Sequence, residues 1–140
     1  MRYAFLMLVL VVAAFTGCKE SALAQYSKFS SDADVPRITV EDAKKAVDAG
    51  TAVIIDVRAE AAYNLEHIAG SSNVPIGSKD DKIDALPKDK KLILYCSCSA
   101  EHTSAAMGFQ LNQKGIPNVY ALVGGSQGWA SAGYPMEKGQ

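Results

Sequence analysis

The chain has little that would attract nucleic acid. Its 14 Lys and Arg against 15 Asp and Glu leave a formal charge of −1. There is no basic stripe, and aromatic residues, at 8%, are too few to stack bases. Internal repeats and low-complexity tracts are absent. Long apolar runs are missing with one exception, YAFLMLVLVVAAF at residues 3–15, which is too short for a comfortable membrane span. Cysteine is scarce: Cys18, Cys96 and Cys98 are the three present. Each stands where its position asks for a reason.

What remains has the size of one domain, 140 residues, with 49% hydrophobic and 21% charged residues, ordinary for a globular protein. Arg2 and the apolar run have the layout of an export signal. Two endings compete. FTGC, residues 15–18, resembles a bacterial lipobox that would place a lipid on Cys18. ALAQ, residues 22–25, would instead release a soluble protein after Ala24. Lys19 and Glu20 disfavour the second, since they put charge into an otherwise neutral cleavage region.

Residues 1–17 are therefore read as a lipoprotein signal peptide, and 18–36 as a lipidated N-terminus and flexible tether rich in Ser and Ala. The folded domain is expected over 37–138. The expected location is the bacterial cell envelope, lipid-anchored and facing the periplasm, with the membrane touched only through the anchor. Lys19 after Cys18 resembles the pattern that sorts to an outer membrane. The soluble periplasmic form is the alternative.

From Arg37 onward, apolar runs alternate with helical patterns. Thr39 caps a helix with Glu41 and Asp42 at its positive end, and Gly50 closes it. TAVIIDVR at 51–58, KLILYC at 91–96 and NVYALVGG at 118–125 read as strands; the core of the first is buried on both faces. Thr103 to Lys114 reads as a helix, with Met107 and Leu111 on one face and Gly115 as its stop. This alternation predicts an α/β fold with a parallel sheet and right-handed crossovers. Ligands in such sheets bind beyond the carboxyl ends of the strands, where Asp56, Arg58 and Cys96 all fall. A loop and a helix start follow Cys96, and their N–H groups would favour a thiolate, so the position suits a nucleophile.

Three separated stretches resemble the rhodanese family. IDVRAEAAYNLEHIAGSSNVP at 55–75 is similar to its first signature. LYC at 94–96 is similar to the strand ending in its catalytic cysteine, and VYALVGGSQGWASAGYPM at 119–136 to its closing signature. The resemblance implies a three-layer fold around a five-stranded parallel sheet, and no cofactor. It also implies sulfurtransferase activity, with Cys96 taking sulfane sulfur as a persulfide. The donor would be thiosulfate, a persulfide or a polysulfide, and the acceptor a thiol. A monomer is expected, with no nucleic-acid partner.

The active-site loop departs from that pattern. Cys96 is followed by Ser97, Cys98, Ser99, Ala100, Glu101, His102 and Thr103, one residue longer than the usual loop. His102 stands where the family has arginine. The loop length is similar to those of phosphatases and arsenate reductases of the same fold. Those enzymes bind the oxyanion through the arginine fork, which a neutral imidazole does not supply. Glu101 and the absence of a loop cation also argue against efficient use of dianionic thiosulfate.

Cys98 is a candidate resolving thiol. A Cys96–Cys98 ring would be small, strained and easily reduced, suiting a low-turnover redox or binding module as the alternative function. Cys96, Cys98 and His102 are too few for a closed structural metal site, so no metal is expected. Glu101 is read as solvated or as a favourable charge at the helix start. His67, Asp56, Arg58 and Trp129 are read as architectural.

Overall fold

The computed structural model describes residues 26–97 and 100–139. The expectations on residues 1–25, including lipid attachment at Cys18 and cleavage after Ala24, lie outside the described residues. So do those on Cys98 and Ser99.

The sheet is built on two strands that the apolar runs announced, β2 (Ala52–Asp56) and β5 (Lys91–Tyr95). They pair in parallel, Ala52 opposite Lys91 through Asp56 opposite Tyr95. β6 (Val119–Leu122) joins the other side of β5. Two two-residue strands complete the sheet, β1 (Arg37–Ile38) beside β6 and β4 (Ser72–Asn73) beside β2. The order is β1-β6-β5-β2-β4, with every pairing parallel. Another pair, β3 (His67–Ile68) and β7 (Met136–Glu137), runs antiparallel apart from the main sheet.

Side chains alternate across a strand, so β5 feeds two cores. Leu92 and Leu94 face Ile55, Met107 and Leu111 on one side of the sheet. Ile93 and Tyr95 face Ile54, Ile68 and Trp129 on the other. Helices α3 (Asp80–Asp84) and α4 (His102–Gln113) contribute to the first core, α1 (Val40–Asp48) and α5 (Gly125–Ser131) to the second. The short α2 (Glu60–Leu65) leads from β2 into β3.

Local rules account for the helix ends. Thr39 Oγ1 accepts from the Asp42 N–H at 3.2 Å, as its position predicts. At the end of α4 the Gly115 N–H bonds to Asn112 O at a φ of 82°, a conformation that favours glycine.

One boundary differs from the sequence reading. Residues 26–36, taken from composition as part of a flexible tether, are seated on α4. The Asn112 side chain accepts from the Phe29 N–H at 2.8 Å and donates to Ser27 O at 3.0 Å. The Tyr26 hydroxyl donates to Asn112 O at 2.6 Å. Val35 is buried with Ala105 and Ala121, in a space opened by Gly108. A Cβ at that glycine would lie 2.9 Å from the Val35 side chain. The reason is specific contact: two apolar residues, Phe29 and Val35, sit in a polar stretch and find a prepared surface.

Among the described residues, Tyr95 is the largest wholly buried side chain. Its hydroxyl donates to Asp56 Oδ2 and accepts from the Ile68 N–H at 3.1 Å. Burial, reinforced by the bond to Asp56, pushes its phenol up to about 12. The neutral phenol is thus favoured in the folded state. Its contribution to stability is full below about pH 10 and is lost as pH rises from there towards 12. Tyr95→Phe should cost about 1–3 kcal/mol at pH 7 by urea unfolding. The difference from wild type should shrink between pH 10 and 12; a constant difference would show that the phenol does not ionise with the fold.

Candidate functional site

Cys96 immediately follows β5, at the carboxyl edge of the sheet, and is 3% exposed. Its carbonyl accepts from the Ser126 N–H at 3.0 Å. Its Sγ lies 3.9 Å from Ser104 Oγ, in the first turn of α4. Ser104 is wholly buried, and its hydroxyl donates to Glu101 O at 2.9 Å. The sulfur therefore sits against the start of a 12-residue helix, where backbone N–H groups lack helical partners and the dipole is positive.

The loop after Cys96 is closed at its far end by Glu101. This residue was expected to be solvated or simply to favour the helix dipole; instead it is half-buried and bonded. Its Oε1 accepts from the Gly124 N–H at 2.8 Å, and its backbone adopts φ 50° as the cap of α4. Gly124 and Gly125 have φ of 75° and 55°. A Cβ on Gly124 would also come within 3.2 Å of Gly128 Cα, so the turn that receives Glu101 needs glycine on two grounds.

Ser97 is exposed, and its Oγ lies 3.4 Å from Arg58 Nη1. A guanidinium from just beyond β2 thus reaches the loop, although its charge is matched by Asp56. Arg58 is held by Asp56 through Nε at 3.0 Å and Nη2 at 2.6 Å, and it donates from Nη2 to Glu66 O at 2.7 Å. The bond to Asp56 raises its already high pKa against the opposing effect of burial, so the guanidinium stays charged. Arg58 also lines a cavity of about 240 Å³ with Leu65, Ser126, Gln127 and Met136. The sequence places Arg58 at the strand end, where it is read as fixing the neighbouring loop, but does not name Ser97 as its contact. The contact with Ser97 joins residues 39 apart in the chain and has no local signal.

His102 is exposed as the first residue of α4, Thr103 is half-buried beside it, and Ala100 is exposed. The residues read as architectural have the expected surroundings. His67 is 6% exposed, stacks on Tyr63 at 3.8 Å and places Nδ1 2.9 Å from Tyr63 O. Trp129 is buried and donates to Pro135 O at 3.1 Å.

Residues 39–132 match the rhodanese-like domain family. The chain belongs to that family. It is 36% identical over 104 residues to the thiosulfate sulfurtransferase GlpE of Pseudomonas fluorescens, covering 74% of this chain and 92% of that protein. Among solved structures, a rhodanese-related protein from Thermoplasma volcanium superposes with a TM-score of 0.63 at 30% identity, over 73% of this chain and 97% of the other. A thiosulfate sulfurtransferase from Pseudomonas aeruginosa superposes with a TM-score of 0.62 at 32% identity, over 76% of this chain but 21% of that longer one. The five-stranded parallel sheet flanked by helices is the rhodanese fold.

His102 is the exposed first residue of α4, six positions after Cys96, and an arginine there would add a fixed cation to the loop. His102→Arg should raise the rate of sulfur loading from thiosulfate roughly three- to tenfold, the worth of one charge-assisted contact. An unchanged rate would show that loop charge does not limit the reaction.

Proposed function

We propose that the protein is a sulfurtransferase, or a sulfur carrier, in which Cys96 accepts sulfane sulfur as a persulfide and passes it to a thiol. The placement of Cys96 carries this reading: a recessed sulfur at the carboxyl edge of a parallel sheet, against the first turn of α4 and inside the matched domain. The likeness to GlpE supports thiosulfate as one donor.

The cycle has two displacements. The Cys96 thiolate attacks the outer sulfur of thiosulfate, a new S–S bond forms, and sulfite leaves with the electron pair of the broken one. The acceptor thiolate then attacks the terminal sulfur, and Cys96 leaves as thiolate. Neither step needs a cofactor or an external oxidant. Loop dipoles and the helix start would stabilise the anionic persulfide between the steps.

The test is the intact mass of the chain from Ser21 onward, before and after a sulfane-sulfur donor, beside Cys96→Ser and Cys98→Ser. The expected result is a gain of one sulfur that a reductant removes and that Cys96→Ser alone abolishes. Reversal distinguishes a persulfide from sulfinic acid, whose added mass is nearly the same. A loss of two hydrogens requiring both cysteines would replace this reading with a redox module.

Export and lipidation at Cys18 belong to the same proposal, supported by Arg2, the apolar run at 3–15 and FTGC. Metabolic labelling with a fatty acid should mark the wild-type chain and spare Cys18→Ala. Equal labelling of both, or of neither, would remove the anchor from the proposal.

A further inference from the structure

Glu101 combines two properties that the sulfur chemistry does not call for. Its backbone is left-handed, φ 50°, which costs energy for any residue with a Cβ. Its carboxylate has no cation: among the described residues, the ion pairs involve Lys44, Lys45, Arg58, His67 and Lys114, and none reaches Glu101. Such a residue needs a reason to be there.

The hydrogen bonds supply one. Glu101 O accepts from both the Ala105 N–H at 2.8 Å and the Ser104 hydroxyl at 2.9 Å, which fixes the backbone at the start of α4. Glu101 Oε1 then accepts from the Gly124 N–H at 2.8 Å. Two residues further on, the Ser126 N–H holds Cys96 O at 3.0 Å. Both ends of the loop from 96 to 101 thus hang on one turn, Gly124 to Ser126. The Glu101 side chain is the tie at one end, and the Cys96 carbonyl is the tie at the other.

The same carboxylate sets the electrostatics of the mouth. Arg58, which touches Ser97, is already engaged by the buried carboxylate of Asp56, and that pair sums to no net charge. The charge left over at the loop is that of Glu101. Its backbone oxygen contacts the same Ser104 hydroxyl that lies 3.9 Å from Cys96 Sγ, and its carboxylate is fixed on the turn whose Ser126 N–H holds Cys96 O, so the charge is held on the residues that frame the sulfur. A dianion is repelled there, whereas a net-neutral donor is not.

We propose that Glu101 is the positioning residue that latches the Cys96 loop to the Gly124–Ser126 turn, and that its charge selects sulfur donors of low charge. This rests on the sulfur-transfer reading above. Its test uses the full chain in detergent and two donors, thiosulfate and cysteamine persulfide, a net-neutral zwitterion. With the second donor the Cys96 thiolate takes the terminal sulfur, and cysteamine thiolate leaves with the electron pair.

Loading rates are followed by intact mass. Glu101→Gln keeps an acceptor for the Gly124 N–H and removes the charge. It should raise the ratio of the thiosulfate rate to the cysteamine persulfide rate about threefold or more, and flatten the rise of the thiosulfate rate with added salt. Glu101→Ala removes the latch as well and should slow both donors about tenfold or more. The proposal is overturned if Glu101→Gln keeps the wild-type ratio and salt slope, or if Glu101→Ala loads at wild-type rates. Failure of both donors to load the wild-type chain would instead overturn the sulfur-transfer reading itself.

Discussion

The carboxyl edge of this sheet is organised around one buried anion. Asp56 is fully excluded from solvent, and a carboxylate there must be matched by hydrogen bonds and a counter-charge. The Tyr95 hydroxyl, the Arg58 guanidinium and the Arg58 N–H all converge on it. Each partner is then used again. Tyr95 receives the Ile68 N–H and so positions β3; Arg58 reaches Glu66 O and approaches Ser97. The Asn73 side chain, at the end of β4, donates to the backbone carbonyls of Asp56 and Arg58. The ends of β2, β4 and β5 are thereby tied together directly below the loop that carries Cys96.

That arrangement separates two tasks. The Asp56 network holds the floor of the site, and its charges cancel within it. The Gly124–Ser126 turn holds the loop from the side, through bonds to Cys96 O and Glu101 Oε1. A sulfur acceptor needs both: a strand end that does not move and a loop whose donors stay arranged while the charge on sulfur changes. The N-terminal segment plays the corresponding part at the other end of α4, where Asn112 holds Ser27 and Phe29.

Much of the fold is legible in the sequence, and the legible parts share a cause. The strands β2, β5 and β6 carry continuous apolar runs, which only a sheet covered on both faces explains. The ends of α1 and α4 carry local signals, Thr39 and Gly115. The strands β1, β3, β4 and β7, two residues each, carry none, because neighbouring strands impose them. The seating of residues 26–36 escaped for the same reason: Ser, Ala and Asp set the average composition, while Phe29 and Val35 decided the outcome. Gly108 was the available hint, since a helix interior otherwise disfavours glycine.

At the site, the sequence by itself determined the identity and order of the chemical groups: a cysteine closing an apolar strand, a polar loop, then a helix. Apolar runs, caps and turn glycines act over a few residues, so they can be read from a few residues. Only the tertiary structure decided what those groups face. Arg58 beside Ser97 and Glu101 as a latch on Gly124 depend on strand order and on the crossovers between strands. Those contacts join positions far apart in the chain, and no local preference encodes them; packing two cores on one sheet does.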